Sequence, residues 1–400
     1  MDKKIISFEK HTKESLLKRG KKAIYEGDIK EALNTFEKLY DMDSSDTDII
    51  YNLAAIYIEL GNNEKSEELL LESFNCDPNH LFTLIGLANI IYYNTGSLKK
   101  ALIYLDIAQK NHKDSSELNL SYGNLYMIEG KYKTSLSFYK KAYEIDPVSE
   151  SVKSGLSMIS NFLGLEDLRK HQFLLAMKNF KEAVKLNPNW ISPHLNIIRT
   201  LSYEKSYKRA FHLIEQLKDK VNNLSIDYVL KNKDLWSEDI THSLLLIKIS
   251  EAKLFYKTKN FKEADAILKK VITINPEFPG VNYLIALIAT ENNQFEDAQK
   301  YIRDEQQNSG KSIKVKILKY VIYKKSNKVS SWKNYYFNMI KKDTFDIYII
   351  YDSAMILKKF ECSDELEDML KYANSLNPMR VTKLKAERDV DLIESIDFSD

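Results

Sequence analysis

Between Gln306 and Lys342 the chain carries ten lysines and no Asp or Glu. Tyr320, Tyr323, Trp332, Tyr335, Tyr336 and Phe337 are interleaved with them. Cations alternating with aromatic rings suit phosphate contacts plus base stacking, and equally an anionic membrane surface or an acidic peptide. Lys314, Lys316, Lys319, Lys324, Lys325 and Lys333 would carry such anion binding. The competing expectation is a helical hairpin with solvated lysines and core aromatics. Elsewhere chemistry is sparse. The phosphate-loop, dinucleotide, H-E-x-x-H and C-x-x-C patterns are missing from the sequence. His11, His80, His112, His171, His194, His212 and His242 stand without a second His at i,i+4, so each is expected at a surface or groove, not on a metal. Helical carboxylates mostly face a Lys three or four residues away, which is the pattern of a solvated face. The expectation is a chain without catalytic residues, cofactor or metal. Cys76 and Cys362, far apart in sequence, are expected as buried or half-buried thiols in a reducing compartment.

The elements that would position these residues are helices. Ser116–Ser149 reads as two of them, helix A over about Glu117–Glu129 and helix B over about Tyr132–Ile145. Apolar residues recur at helical spacing: Leu118, Tyr122, Leu125 and Tyr126 on the first, and Leu136, Tyr139, Ala142 and Tyr143 on the second. Gly130 falls between them, where a left-handed turn favours glycine. Pro147 follows the second and stops it. Small residues (Gly123, Ser135, Ala142) fall where the two backbones must approach. One such hairpin cannot bury its apolar face alone, but a stack can. The small residue early in helix B recurs as Ala32, Ser66, Ala101, Ser135, Ala176, Ala210, Ala264 and Ala298, in steps of 34, 35, 34, 41, 34, 54 and 34.

This register, with segments such as GDIKEALNTFEKLYDMD and NFKEADAILKKVITINPEF, resembles the tetratricopeptide repeat (TPR), whose period is 34. The resemblance covers about residues 13–380. It implies an all-α, right-handed superhelical solenoid of about nine or ten stacked antiparallel hairpins, with a concave face that binds peptides or partner proteins. The helix A positions that line that face in TPR proteins correspond here to Lys21 and Tyr25; Tyr51 and Glu59; Asn89, Tyr92 and Tyr93; Asn124; Arg199 and Tyr203; Lys253 and Tyr256; and Tyr283. Tyrosines beside Asn, Lys and Arg give apolar faces for side chains and donors for a peptide backbone. The competing expectation for each tyrosine is packing between repeats. The TPR clamp for a C-terminal carboxylate needs cations where this chain has Phe82 and Gly86, so that mode is not expected despite Lys21 and Asn52.

The expected organisation is a lead-in over 1–12, about six repeats over 13–221 with the fifth extended, and an insert or linker over 222–244. Two repeats follow over 245–311, then degenerate helical repeats over 312–380 and a cap or acidic tail over 381–400. The 11 Gly and 7 Pro argue for long helical content against a sheet protein. A net charge of +2 gives no global bias toward nucleic acid. The longest apolar run, about Leu81–Tyr93, is interrupted by Asn89 and too short to span a bilayer. The first twenty residues lack an apolar run long enough for a signal peptide. The reading that results is a soluble, cytoplasmic, non-enzymatic adaptor for other proteins, with RNA or another acidic surface as the less favoured partner. The Lys-, Ile- and Asn-leaning composition points to an AT-rich, bacterial source.

Overall fold

The structure, a computed structural model, describes residues 2–220, 238–308, 313–326, 354 and 356–376. All regular elements among them are helices. They fall into two compact units. The first comprises residues 1–166 and 182–188, the second 167–181 and 189–400.

The first unit contains α1 (Asp2–Glu26), α2 (Ile29–Met42), α3 (Thr47–Glu59), α4 (Asn63–Cys76), α5 (Leu81–Thr95), α6 (Leu98–Asn111), α7 (Ser116–Ile128), α8 (Tyr132–Ile145) and most of α9 (Glu150–Arg169). α10 (Phe173–Leu186) is shared between the units. The second contains α11 (Ile191–Tyr203), α12 (Tyr207–Lys220), α13 (Glu238–Lys257), α14 (Phe261–Ile274), α15 (Val281–Glu291), α16 (Phe295–Asn308), α17 (Ile313–Lys325) and α18 (Ser363–Leu376). Through α16, odd-numbered helices are the A members of hairpins and even-numbered ones the B members. Within the first unit A helices also pack on one another, α3 on α5 and α5 on α7. The A helices therefore form one layer and the B helices another.

Local chemistry starts these helices where they start. Asp28 accepts from the Glu31 N–H at 3.0 Å, Asn62 from Lys65 at 3.1 Å and Ser115 from Leu118 at 3.0 Å, each satisfying an orphan donor of the first turn. Gly130 ends the α7 turn at φ +69°, where a Cβ would be strained. All eight small residues of the register are fully buried, at 0 % exposure, so the ruler marks the close approach of A to B. At one of them the Ser135 hydroxyl donates to the Gly123 carbonyl at 2.8 Å. Fully buried Tyr139 lies between Gly123 and Gly155, and a Cβ on Gly155 would overlap its ring. Large and small residues are thus matched between successive repeats, as close packing requires.

The extension expected in the fifth repeat lies in its A helix: α9 has 20 residues where α7 has 13. The expected 222–244 insert is shorter than its sequence limits suggested, because residues 238–244 belong to α13, itself 20 residues long. The rest of that insert, Lys333 and the 381–400 tail lie outside the described residues. Cys362 is buried but Cys76 is exposed, correcting the expectation for that thiol. His194 is buried and not a surface residue, since it faces inward from the first turn of α11.

Candidate functional site

On the A-helix face of the first unit the central element is α5, LFTLIGLANIIYYNT, which carries no charged residue. Leu84, Leu87, Ala88 and Ile90 turn inward and are buried. Phe82, Asn89 and Tyr93, at i, i+7 and i+11, share the outward face and are exposed. Tyr93 is 74 % exposed. Tyr51 of α3 packs on Phe82 with ring centroids 5.6 Å apart and on His80 at 6.5 Å. His80 is held by the Thr83 hydroxyl at 2.7 Å and Asp48 at 3.2 Å, which fixes the ledge. A Cβ on Gly86 would stand 2.8 Å from Leu70, so glycine lets that buried side chain pack close against α5.

The other predicted residues of this face divide in two. Lys21 and Tyr25 are exposed on α1, Tyr25 at 92 %. Tyr92 and Asn124 are tied down. The Tyr92 hydroxyl donates to Glu129 at 3.1 Å, and burial together with that bond raises its pKa. The Asn124 carbonyl accepts from the Tyr139 hydroxyl at 2.5 Å, and burial pushes that phenol up to about 12. Tyr92 therefore joins one repeat to the next, as Tyr40 does on the B layer by donating to Glu72 at 2.6 Å.

In the second unit the predicted face is largely closed. Tyr203 stacks on Phe173 at 5.5 Å, with the Lys257 ammonium 5.1 Å from its ring centroid. Arg199 and Lys253 are half-buried. Two predicted groove residues are corrected. Tyr256 is 5 % exposed, its hydroxyl donating to Glu291 at 2.7 Å and Lys359 lying 4.9 Å over its ring. Tyr283 is 2 % exposed, because α15 is buried on every side from Val281 to Thr290. The signal was present in the sequence: VNYLIALIAT has no polar face, and such a helix is buried all round. The buried Glu305 carboxylate, which sequence reading missed, caps α15 by accepting from the N–H groups of Gly280 at 2.9 Å and Tyr283 at 3.3 Å.

The basic–aromatic segment is partly committed to packing. Lys324 donates to both oxygens of Glu365 at 2.8 and 2.7 Å, and the buried Tyr320 hydroxyl donates to the same carboxylate at 2.6 Å. Burial pushes the Glu365 carboxyl up, but the bonds from Lys324 and Tyr320 outweigh it and hold its pKa below the usual value. Lys319 donates to Gln306 at 2.7 Å, and burial, helped by Arg303, lowers its pKa. Lys314 and Lys316 are half-buried and Lys325 is exposed. The acids missing from residues 306–342 are supplied in part by Glu365, far along the chain.

Tetratricopeptide repeat family models match residues 23–87, 116–149 and 249–278, each falling on the hairpin register described above. The chain carries tetratricopeptide repeats. TPR repeat-containing protein YpiA of Bacillus subtilis (strain 168) is 18 % identical over 324 residues, spanning 68 % of this chain and 74 % of that protein. BBSome complex member BBS4 of Bos taurus is 22 % identical over 220 residues, 54 % of this chain and 41 % of that protein. Among solved structures, a TPR protein of Parabacteroides merdae ATCC 43184 is 14 % identical with a TM-score of 0.42, covering 70 % of this chain and 99 % of that one. A thermophilic TPR protein of Thermus thermophilus is 18 % identical with a TM-score of 0.39, covering 47 % and 98 %. In general terms the TPR array is a protein-interaction scaffold. Among the described residues no helix is long and apolar enough to cross a membrane.

Proposed function

We propose that this TPR protein is a cytoplasmic, non-enzymatic adaptor that holds a peptide segment or helix of a partner protein on the A-helix face of its first unit. The observation that carries this reading is the charge-free outward row of α5, Phe82, Asn89 and Tyr93, beside the Tyr51 ledge. Covering that row removes apolar and aromatic surface from water without burying an unpaired charge. Tyr93 and Phe82 would act as anchors, since large rigid aromatics bury much area for few rotatable bonds. Asn89 brings one acceptor and two donors, enough to hold the backbone of an extended or helical segment. Lys21 and Tyr25 on α1 would extend the contact in the same unit.

The test begins with purification of the tagged protein from its native cytoplasm, with and without nuclease. A partner retained after nuclease is then titrated against Tyr93→Ala and Asn89→Ala. Loss of about thirty-fold in affinity for Tyr93→Ala is expected of an anchor. Salt should change that affinity only modestly. Binding that survives both substitutions but is lost on neutralising Lys314, Lys316 and Lys325 would overturn the reading in favour of an anionic ligand.

A further inference from the structure

The two residues before the small residue of each B helix are polar in seven of the eight copies, as in Lys99 and Lys100, Lys208 and Arg209, or Glu296 and Asp297. Before Ala176 they are Leu174 and Leu175. The register that keeps this corner wet elsewhere exposes a leucine pair in α10, Leu174 at 84 % and Leu175 at 49 %. Packing does not explain Leu174, since an exposure that high means the side chain stands clear of its neighbours, and it leaves half of Leu175 uncovered beside it.

The surrounding corners supply cations. The rings of His171, Phe173 and Tyr203 pack together at 5.5–6.3 Å, joining the corner before α10 to the one before α12. The Lys257 ammonium over the Tyr203 ring carries the edge on to the corner before α14. Lys208 and Arg209 open α12, Lys259 and Lys262 open α14, and all four are exposed. Lys259 takes φ +63°, a region where a side chain costs free energy that glycine would not. The next corner carries Glu296 and Asp297, so the basic run ends there.

We propose that this edge of the second unit docks on an anionic bilayer surface, Leu174 and Leu175 entering the boundary between headgroups and acyl chains and Lys208, Arg209, Lys259 and Lys262 facing the lipid phosphates and carboxylates. Three features select lipid over a peptide or nucleic acid. The leucines protrude, and a protrusion enters a deformable bilayer where a peptide would need a recess. They are aliphatic, so they offer no ring for base stacking. Two aliphatic side chains flanked by clustered cations combine the weak signals from which peripheral lipid binding is built. The contact is independent of the α5 row and adds a second attachment to the scaffold.

Co-sedimentation of the full chain with vesicles is the test. Phosphatidylcholine vesicles containing about one third phosphatidylserine are compared with phosphatidylcholine alone. The intact protein should partition onto the anionic vesicles and lose that partition as salt rises. Lys208→Ala with Arg209→Ala should lower partition about thirty-fold, from two surface cations. Leu174→Gln with Leu175→Gln should lower it roughly tenfold at unchanged salt dependence. Both pairs are exposed, so helical circular dichroism should be unchanged. If the leucine variant loses helix, Lys259→Ala with Lys262→Ala carries the test. Tyr93→Ala should sediment like the intact protein, which separates this edge from the α5 row. Equal partition onto both vesicle types, or wild-type partition by the leucine or cation variants, overturns the proposal.

Discussion

The two units make the same A-to-B turn with different residues. In the first, Gly27, Gly61, Gly96 and Gly130 take φ of 73°, 74°, 60° and 69°. In the second, His171, Lys205, Lys259, Asn293 and Glu361 occupy the same region at 56°, 57°, 63°, 58° and 57°. A Cβ in that region costs about 1–2 kcal/mol, so the second unit maintains the turn against local preference. Hairpin packing, not the turn residue, therefore decides the turn. The A faces differ in the opposite sense. The first unit leaves Tyr25 and Tyr93 open, while the second buries Tyr256 and Tyr283. One unit displays side chains from its helix faces and the other from its corners.

The strongest way to break that comparison is at Tyr139. Its ring fills the space over Gly123 and Gly155, so Tyr139→Ala should cost about 3–5 kcal/mol. Hydrogen exchange should show protection lost over α7–α9 and kept over α13–α16. Equal loss in both would mean the units do not melt separately. Next comes the Glu365 cluster. Glu365→Gln should cost about 2 kcal/mol, discounted because the Lys324 side chain is 39 % exposed. The folded Glu365 pKa lies below its unfolded value, near 4.3. Its contribution is therefore complete above that pH and is lost as pH falls through the folded value. Urea melts between about pH 3 and 6 should show this slope in the intact protein and lack it in Glu365→Gln.

The smaller effects sharpen the turn argument directly. Gly130→Ala should destabilise by about 1 kcal/mol, since alanine resists the left-handed region. Lys259→Gly relieves a similar strain but gives the unfolded chain more freedom, leaving a net change of about a few tenths of a kcal/mol, toward stability. Thermal unfolding of both variants measures the pair. If Lys259→Gly destabilised as much as Gly130→Ala, the turns would not be equivalent.

Much of this was legible in the chain. The small-residue ruler from Ala32 to Ala298 located the A–B close approach of eight hairpins, because eight copies in a register whose commonest step is 34 residues average out local ambiguity. Exposure on α1 and α5 was legible too, since Lys21, Tyr25, Asn89 and Tyr93 follow helix periodicity with apolar residues opposite. Tyr256 and Tyr283 were not, because position within a repeat says which way a side chain points but not what the next repeats lay over it. The lysine run was misleading for a related reason. Counting acids within a window cannot find Glu365, whose carboxylate reaches Lys324 from another helix.

By itself the sequence determined the helices, local caps such as Asp28, Asn62 and Ser115, the hairpin period and the matched large and small residues, all properties of spacing within one or two hairpins. Only the tertiary structure decided which tyrosines meet solvent and which bind repeat to repeat. It alone showed which lysines already hold a carboxylate and that Leu174 and Leu175 stand uncovered. Those outcomes depend on contacts between residues tens of positions apart, and burial is a property of the packed array, not of any one repeat.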